Sequence, residues 1–292
     1  MPHKSGFVNI LGNPNVGKST LMNMLIGEKL SVMTPKAQTT RHRIMGIMSG
    51  EDYQIVYSDT PGILNPKYKL QSAMMNSVES ALDDADLILY VTDVVETAEK
   101  NEAFLRRILD SGVPKIIVIN KIDLTNQEKL ENIVERWKAA APGTVIIPVS
   151  ATNRFNLDTL MNSILSMLPE GEPYFPKDQL TDRYERFFVS EIIRGKILET
   201  YQKEIPYSVE IEIESYKEEE SIVRIAAVIY VARDTQKGII IGHKGEMLKR
   251  VGTGARKEIE SFLGKKVFLE MYVKVARDWR DSSGMLKKFG YI

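Results

Sequence analysis

Along residues 1–170, short apolar runs of strand length alternate with longer stretches whose apolar positions recur every three or four residues. Residues 7–12, 53–62, 86–93, 115–123 and 144–151 read as strands. Residues 18–27, 98–112, 128–141 and 156–168 read as helices, the first ending at Gly27. Strands alternating with helices predict a mostly parallel sheet with helices on both faces. Residues 171–182 carry two prolines and no period, and read as a linker between domains at 1–170 and 183–292. Beyond it the pattern changes. A helical stretch (186–202) precedes two alternating runs (207–217 and 221–232) with a glutamate-rich turn between them. Helices near 238–251 and 254–263 and a strand at 266–275 follow. The order α-β-β-α-α-β predicts a separate α+β domain.

Four of the strand ends in the first half carry chemistry. Gly12-Asn13-Pro14-Asn15-Val16-Gly17-Lys18-Ser19, followed by Thr20, fits GxxxxGK[ST] between a predicted strand and a predicted helix. Backbone N–H groups of such a loop curl around phosphate oxygens, and the helix N-terminus adds its positive end. Lys18 is then expected at the β/γ-phosphates, and the Ser19 hydroxyl on Mg²⁺. Asp59-Thr60-Pro61-Gly62 closes the next strand. Its carboxylate suits the Mg²⁺ shell, and Gly62 lets an N–H approach a γ-phosphate, although DTPG is also a good turn. Asn120-Lys121-Ile122-Asp123 ends the strand at 115–123. One carboxylate accepts both N1–H and the exocyclic amine of guanine, and adenine offers no such pair. Asp123 is thus a candidate base selector and Lys121 a candidate for the ring face, with helix capping as the plainer reading. Ser150-Ala151 stands where a backbone N–H would meet guanine O6.

In the second half, Ile241-Gly242-His243-Lys244-Gly245 gives an apolar, strand-like entry, a GxxG turn and a helical continuation carrying Lys249 and Arg250. Glycines allow a sugar–phosphate backbone to lie on main-chain N–H groups, and His243 and Lys244 reach phosphates. A lone GxxG is often a simple turn. Charge raises its weight. The chain is formally neutral, but residues 233–292 hold 14 Lys/Arg against 7 Asp/Glu. Arg277 and Arg280 are weaker candidates.

Composition adds exclusions. At 292 residues and 43% hydrophobic, two packed domains are expected. With no cysteine, disulfides and thiolate metal sites drop out, and a cytoplasmic location suits the chain. No run approaches the ~20 apolar residues of a membrane span, and residues 1–12 do not read as a signal peptide.

The set GNPNVGKS, QTTRHR, DTPG, NKID and VSA resembles translation-factor-class GTPases of the Era branch, and the later segment resembles a type II KH domain. The resemblance implies an α/β P-loop GTPase domain followed by an α+β KH domain. It implies GTP/GDP and Mg²⁺ as ligands, and Thr40, with Thr39 as its alternative, in a switch segment that completes the Mg²⁺ shell. It also implies small-subunit rRNA near its 3′ end as a partner in ribosome assembly, by a monomer. Ile63 stands where Ras-like enzymes place the glutamine that orients water, so hydrolysis is expected to be slow. Among GTPases with a similarly placed P-loop asparagine, some hold K⁺ there, which makes Asn15 a candidate. Two other readings stay open: a nucleotide-stabilised RNA scaffold without turnover, and a GTPase whose residues 279–292 bind the inner membrane surface peripherally.

Overall fold

The computed structural model describes residues 2–34, 36–96 and 101–292, which fall into two compact units, 1–66 with 74–182 and 67–73 with 183–292. The chain starts with β1 (Lys4–Leu11), α1 (Lys18–Ile26), β2 (Ile44–Ser49), β3 (Tyr53–Asp59) and α2 (Lys69–Asp83). It continues with β4 (Leu87–Asp93), α3 (Glu102–Asp110), β5 (Lys115–Asn120), α4 (Gln127–Ala140), β6 (Val145–Pro148) and α5 (Leu157–Met167). The sheet order is β2-β3-β1-β4-β5-β6, parallel except for β2 against β3. Every residue of β4 is buried, as is nearly all of β3 and β5. Such unbroken apolar runs, rather than alternation, mark strands covered on both faces.

Two elements exceed the sequence expectation. The hairpin strand β2 pairs antiparallel through the turn Gly50–Asp52, where Gly50 N–H donates to Tyr53 O at 2.8 Å. Helix α2 buries Leu70, Ala73, Met74, Val78 and Ala81, a three-and-four spacing present in the sequence. Of the helix expected at 98–112, residues 98–100 lie outside the described residues.

The stretch expected as a linker is bonded to the sheet of the first unit. Gly171 N–H donates to His3 O at 3.0 Å, Phe175 N–H to Gln54 Oε1 at 2.9 Å, and Ile47 N–H to Leu180 O at 2.8 Å. Tyr174 stacks on Phe7 at 4.9 Å.

The second unit holds α6 (Glu185–Thr200), the short α7 (Ile205–Ser208), β7 (Glu210–Glu218) and β8 (Ile222–Val231). It goes on to α8 (Asp234–Ile241), α9 (Glu246–Leu263), β9 (Lys266–Val275) and α10 (Ser283–Lys288). β8 is central, antiparallel to β7 and parallel to β9. One sheet face and the helices share a core that includes Val189, Ile193, Ile225, Ile229, Val251 and Ile259. Ile239–Ile241, expected as a strand-like entry, is the last turn of α8. Gln236 decides this: its Oε1 accepts the N–H groups of Ala232 and Arg233 at 3.0 and 3.1 Å, and so fixes a helix start ahead of the isoleucines. The helix pair breaks at residues 242–245, not near 252. Gly252 and Gly254 lie inside α9.

Candidate functional site

The loop after β1, the turn after β3, the loop after β5 and the loop after β6 all lie at the carboxyl edge of the parallel strands, where ligands of such sheets bind. At the phosphate end, Lys18 is buried, and its Nζ donates to the carbonyls of Gly12 at 3.0 Å and Asn13 at 2.9 Å. Burial lowers its pKa to about 8, against the pull of Asp59 and Glu96. A cavity of 370 Å³ opens beside it, lined in part by Asn15, Ser19, Thr20, Thr40, Gly62 and Lys121.

The three expected metal residues converge. Ser19 Oγ donates to Asp59 Oδ2 at 2.6 Å and lies 2.8 Å from Thr40 Oγ1, which itself donates to Asp59 Oδ2 at 3.0 Å. Asp59 is fully buried, and its Oδ1 has no hydrogen-bond partner. Burial raises its pKa, while Ser19, Lys18 and Thr40 oppose the rise. A buried carboxylate oxygen without a donor costs free energy unless a cation or water meets it. Two hydroxyls and one carboxylate form the hard oxygen set that Mg²⁺ accepts, so these residues fit that ion. Thr39, the alternative, instead donates to Lys36 O at 2.5 Å.

Gly62 is held against the P-loop. A Cβ there would lie 2.7 Å from Pro14 Cα and N, which are backbone and cannot swing away. The next residue, Ile63, turns its side chain into the core with Leu11 and Val78. Its N–H donates to Gly12 O at 3.1 Å, and its carbonyl accepts Asn101 Nδ2 at 2.8 Å. The Ile63 side chain therefore does not orient water. Asn15 is exposed at φ 70°, facing the phosphate cavity.

At the base end the pattern is partly redrawn. Asp123 is exposed, and its Oδ1 accepts Ser150 Oγ at 2.5 Å. Lys121 Nζ donates to Asn15 O at 2.5 Å and pairs with Asp93 at 2.6 Å, so its stem crosses the P-loop. Asn120 is buried and acts as a tie: its Nδ2 donates to Val16 O at 2.9 Å, and its Oδ1 accepts Ala151 N–H at 3.1 Å. Of the two backbone N–H groups considered for guanine O6, that of Ala151 donates to Asn120, and that of Ser150 donates to Phe155 O at 3.2 Å. Asp93, Glu96 and Asn101 escaped sequence reading. Asp93 alone carried a signal, since it also ends a strand at this edge.

In the second unit, α8 ends at Gly242 (φ 72°), and a single 3-10 turn at His243–Gly245 leads into α9. A Cβ at Gly242 would lie 2.6 Å from Met247 Cγ in a left-handed backbone, so the position requires glycine. His243, Lys244, Lys249 and Arg250 are exposed, and no described residue pairs with their side chains. Beside them lies an open groove of 380 Å³, lined in part by Leu248, Gly252, Thr253, Leu269 and Met271. Ile241 instead packs partly against the core. Other basic residues are taken up: Arg256 pairs with Glu260, Lys265 with Glu218 and Lys274 with Glu214. Arg280 Nη1 is 3.5 Å from Tyr207 O, and Arg277 reaches only Asp234 at 3.9 Å. In the segment weighed for membrane contact, Trp279 and Leu286 are buried, so its main apolar groups face inward. No described helix is long and apolar enough to cross a membrane.

Comparison with known proteins agrees with both domains. Residues 7–121 match a family described as 50S ribosome-binding GTPase, and residues 204–280 match the KH domain family. The chain is 46% identical over 294 residues to GTPase Era of Alkaliphilus metalliredigens, covering 100% of both chains. It is 44% identical over 292 residues to GTPase Era of Staphylococcus epidermidis, covering 99% of this chain and 98% of that one. A solved structure of Era with MgGDPNP and nucleotides 1506–1542 of 16S ribosomal RNA superposes with a TM-score of 0.95, at 39% identity and 99% coverage of both. A single-residue variant of Aquifex aeolicus Era bound to GDP·AlF4⁻ superposes with the same TM-score at 40% identity and the same coverage. With a P-loop GTPase domain, a KH domain and full-length likeness to these proteins, the chain belongs to the Era family of GTPases.

Proposed function

We propose that this GTPase is a GTP-driven switch that binds single-stranded RNA at the 3′ end of the small-subunit rRNA and assists small ribosomal subunit assembly. One observation carries the reading: full-length likeness to a protein solved with both MgGDPNP and nucleotides of 16S ribosomal RNA. The domain match names the 50S subunit, but it covers residues 7–121 alone. The full-length relative holds small-subunit RNA, so the proposal follows that one.

For hydrolysis, the phosphoryl group passes through a loose transition state with charge on its outer oxygens, so positioning and electrostatics carry the catalysis. Lys18 supplies the cation at the β/γ-phosphates, and Gly62 an N–H at the γ-phosphate. Gly12–Thr20 wrap the phosphates with backbone N–H groups. Ser19, Thr40 and Asp59 hold Mg²⁺, which neutralises phosphate charge when bound. Asp123 selects guanine, with Lys121 against the ring and Ser150 orienting the carboxylate. Asn120 and Ala151 fix the loops around it. Ile63 leaves the water-orienting role vacant, and Asn15 is placed to hold K⁺ beside the phosphates in its stead. Equal single-turnover rates in sodium and potassium would remove that last role.

In RNA binding, residues 241–245 form the backbone platform. His243 and Lys244 meet phosphates, Lys249 and Arg250 extend the basic edge, and the groove beside them takes unstacked bases. Residues 1–170 and 183–292 divide the two tasks between them. The protein works as a cytoplasmic monomer. The inward-facing Trp279 and Leu286 argue against the membrane-surface reading.

The test measures affinity for an RNA spanning nucleotides 1506–1542 of 16S rRNA, and for a shuffled control of equal length. It is run with GDP and with a non-hydrolysable GTP analogue. Preference for the native RNA, changed by the nucleotide, is expected. Equal affinity in both nucleotide states removes the switch. Absence of phosphate release above background leaves only a scaffold.

A further inference from the structure

Between α3 and α4, behind the P-loop, lies a second cavity of 420 Å³. It shares only Asn13 with the phosphate-binding loop. Its volume falls in the ~300–1,000 Å³ range of small-molecule sites, which combine apolar walls with a few fixed polar groups. The walls are Leu105, Leu109, Ile133, Tyr90 and Trp137, the last two with ring centroids 5.7 Å apart and tilted by 56°. The polar element is Glu96. One of its carboxylate oxygens accepts Thr92 Oγ1 at 2.8 Å, and the other accepts Asn13 Nδ2. Each oxygen thus takes one neutral donor, although an ionised carboxylate has room for about four. Among the described residues, no lysine or arginine pairs with Glu96. Two arginines also line it: Arg106 is paired with Glu102, and Arg136 stands across from α3 on α4.

We infer that this cavity is a binding site for a small aromatic amine, its ring between Trp137 and the leucines of α3 and its ammonium on the Glu96 carboxylate. Three properties select that class. The walls offer aromatic faces, which attract both rings and cations. The polar group is an acceptor with unused lone pairs, so it favours a ligand rich in donors. It is also a half-buried carboxylate in hydrogen-bond contact with no cation among the described residues, the charge of Lys18 acting on it being opposed by that of Asp93. Burial is the main factor that raises the Glu96 pKa, so a cation placed there would relieve that cost.

The test uses the full ¹⁵N-labelled chain saturated with Mg-GDP, so that the nucleotide site is closed to the probes. The indole N–H signal of Trp137 is followed, with Trp279, buried in the other unit, as the internal control. Three probes of one shape are titrated: tryptamine, the neutral tryptophol and the anionic indole-3-propionate. Tryptamine is expected to move the Trp137 signal saturably with a Kd of about 1 mM, as suits a ligand of this size. Tryptophol should bind at least fivefold more weakly, and indole-3-propionate should leave the signal unmoved. Glu96→Gln should reduce tryptamine to the level of tryptophol. Leu105→Trp, which fills the cavity while leaving Glu96 in place, should abolish binding of both. The inference is overturned if the three probes bind alike, if Glu96→Gln leaves tryptamine unchanged, or if no saturable shift appears at Trp137. Because the signal is read at Trp137, this outcome is separate from whether the chain prefers guanine or RNA.

Discussion

At the residue scale, the most informative group is Lys18. Its pKa of about 8 is set by burial, which penalises the ammonium. A bound phosphate favours the charged form and raises that value. Below pH 8 the free and bound proteins are both protonated there, and affinity is flat. Above pH 8 the free form loses its proton and binding must restore it. Mg-GDP affinity should therefore fall as pH rises from 8 to 9, approaching tenfold per unit. Calorimetry over pH 7–9 checks this. The folding sign runs the other way: the unfolded lysine titrates near ~10.5, so the charged form penalises the nucleotide-free fold below pH 8, and the penalty fades above it. Asp123 is the second such residue. Hydrogen bonds to a charged group contribute ~1.5–3 kcal/mol each, and Asp123 is exposed, which discounts them. Asp123→Ala is expected to weaken GDP about 100-fold and to leave ADP unchanged, as measured by competition titration. Equal losses for both nucleotides would mean that Asp123 orders the loop instead of reading the base.

At the scale of elements, turns and helix contacts decide what the motifs can do. The turn after β3 fits only because position 62 lacks a Cβ. Gly62→Ala forces that turn away from Pro14. GDP binding should stay within about threefold, while single-turnover hydrolysis should fall at least tenfold, since the γ-phosphate contact alone is displaced. Phosphate-release assays beside GDP calorimetry separate the two. In α6, Arg194 and Glu191 form a buried ion pair one turn apart, with side chains 1% and 9% exposed. Glu191→Ala removes the main carboxylate partner of the buried guanidinium, and breaking a buried pair in this way costs ~3–5 kcal/mol. Urea unfolding of the variant should show that loss, and replacing both residues by apolar ones should recover part of it.

At the scale of the whole molecule, charge distribution matters more than net charge. The surplus of residues 233–292 shrinks once the pairs to Glu212, Glu214 and Glu218, which lie outside that stretch, are counted. Among the described residues Lys244, Lys249 and Arg250 have no ion pair and lie together at the GxxG turn and the start of α9. Neutralising single-stranded phosphates gives a salt slope of ~0.7 per contact. The double variant Lys244→Gln with Lys249→Gln should thus reduce the slope of log affinity against log salt by ~1.4, with secondary structure unchanged because both side chains are exposed. Filter binding at several salt concentrations measures it. An unchanged slope would place the RNA elsewhere.

The sequence by itself determined the chemistry carried by short, contiguous segments. A P-loop is local: Gly12–Ser19 dictates its own turn, so Lys18 and Ser19 could be picked out as candidates before any fold was known. The same holds for the DTPG turn, for Asp123 and for the glycines at 242 and 245. Tertiary structure decided whatever depends on meeting a distant partner. Asn120 belongs to the guanine-selecting motif by sequence, and Val16 and Ala151, both remote in sequence, make it also a tie between loops. Ile239–Ile241 has the composition of a strand, but Gln236 and the underlying core hold it as helix. Glu96 and Asn101 belong to no motif and gain meaning only because the sheet brings them to Asn13 and Ile63. Local backbone preference can be read from neighbours along the chain. Burial and hydrogen-bond partnership cannot, because they are set by which surfaces the folded sheet and helices bring together.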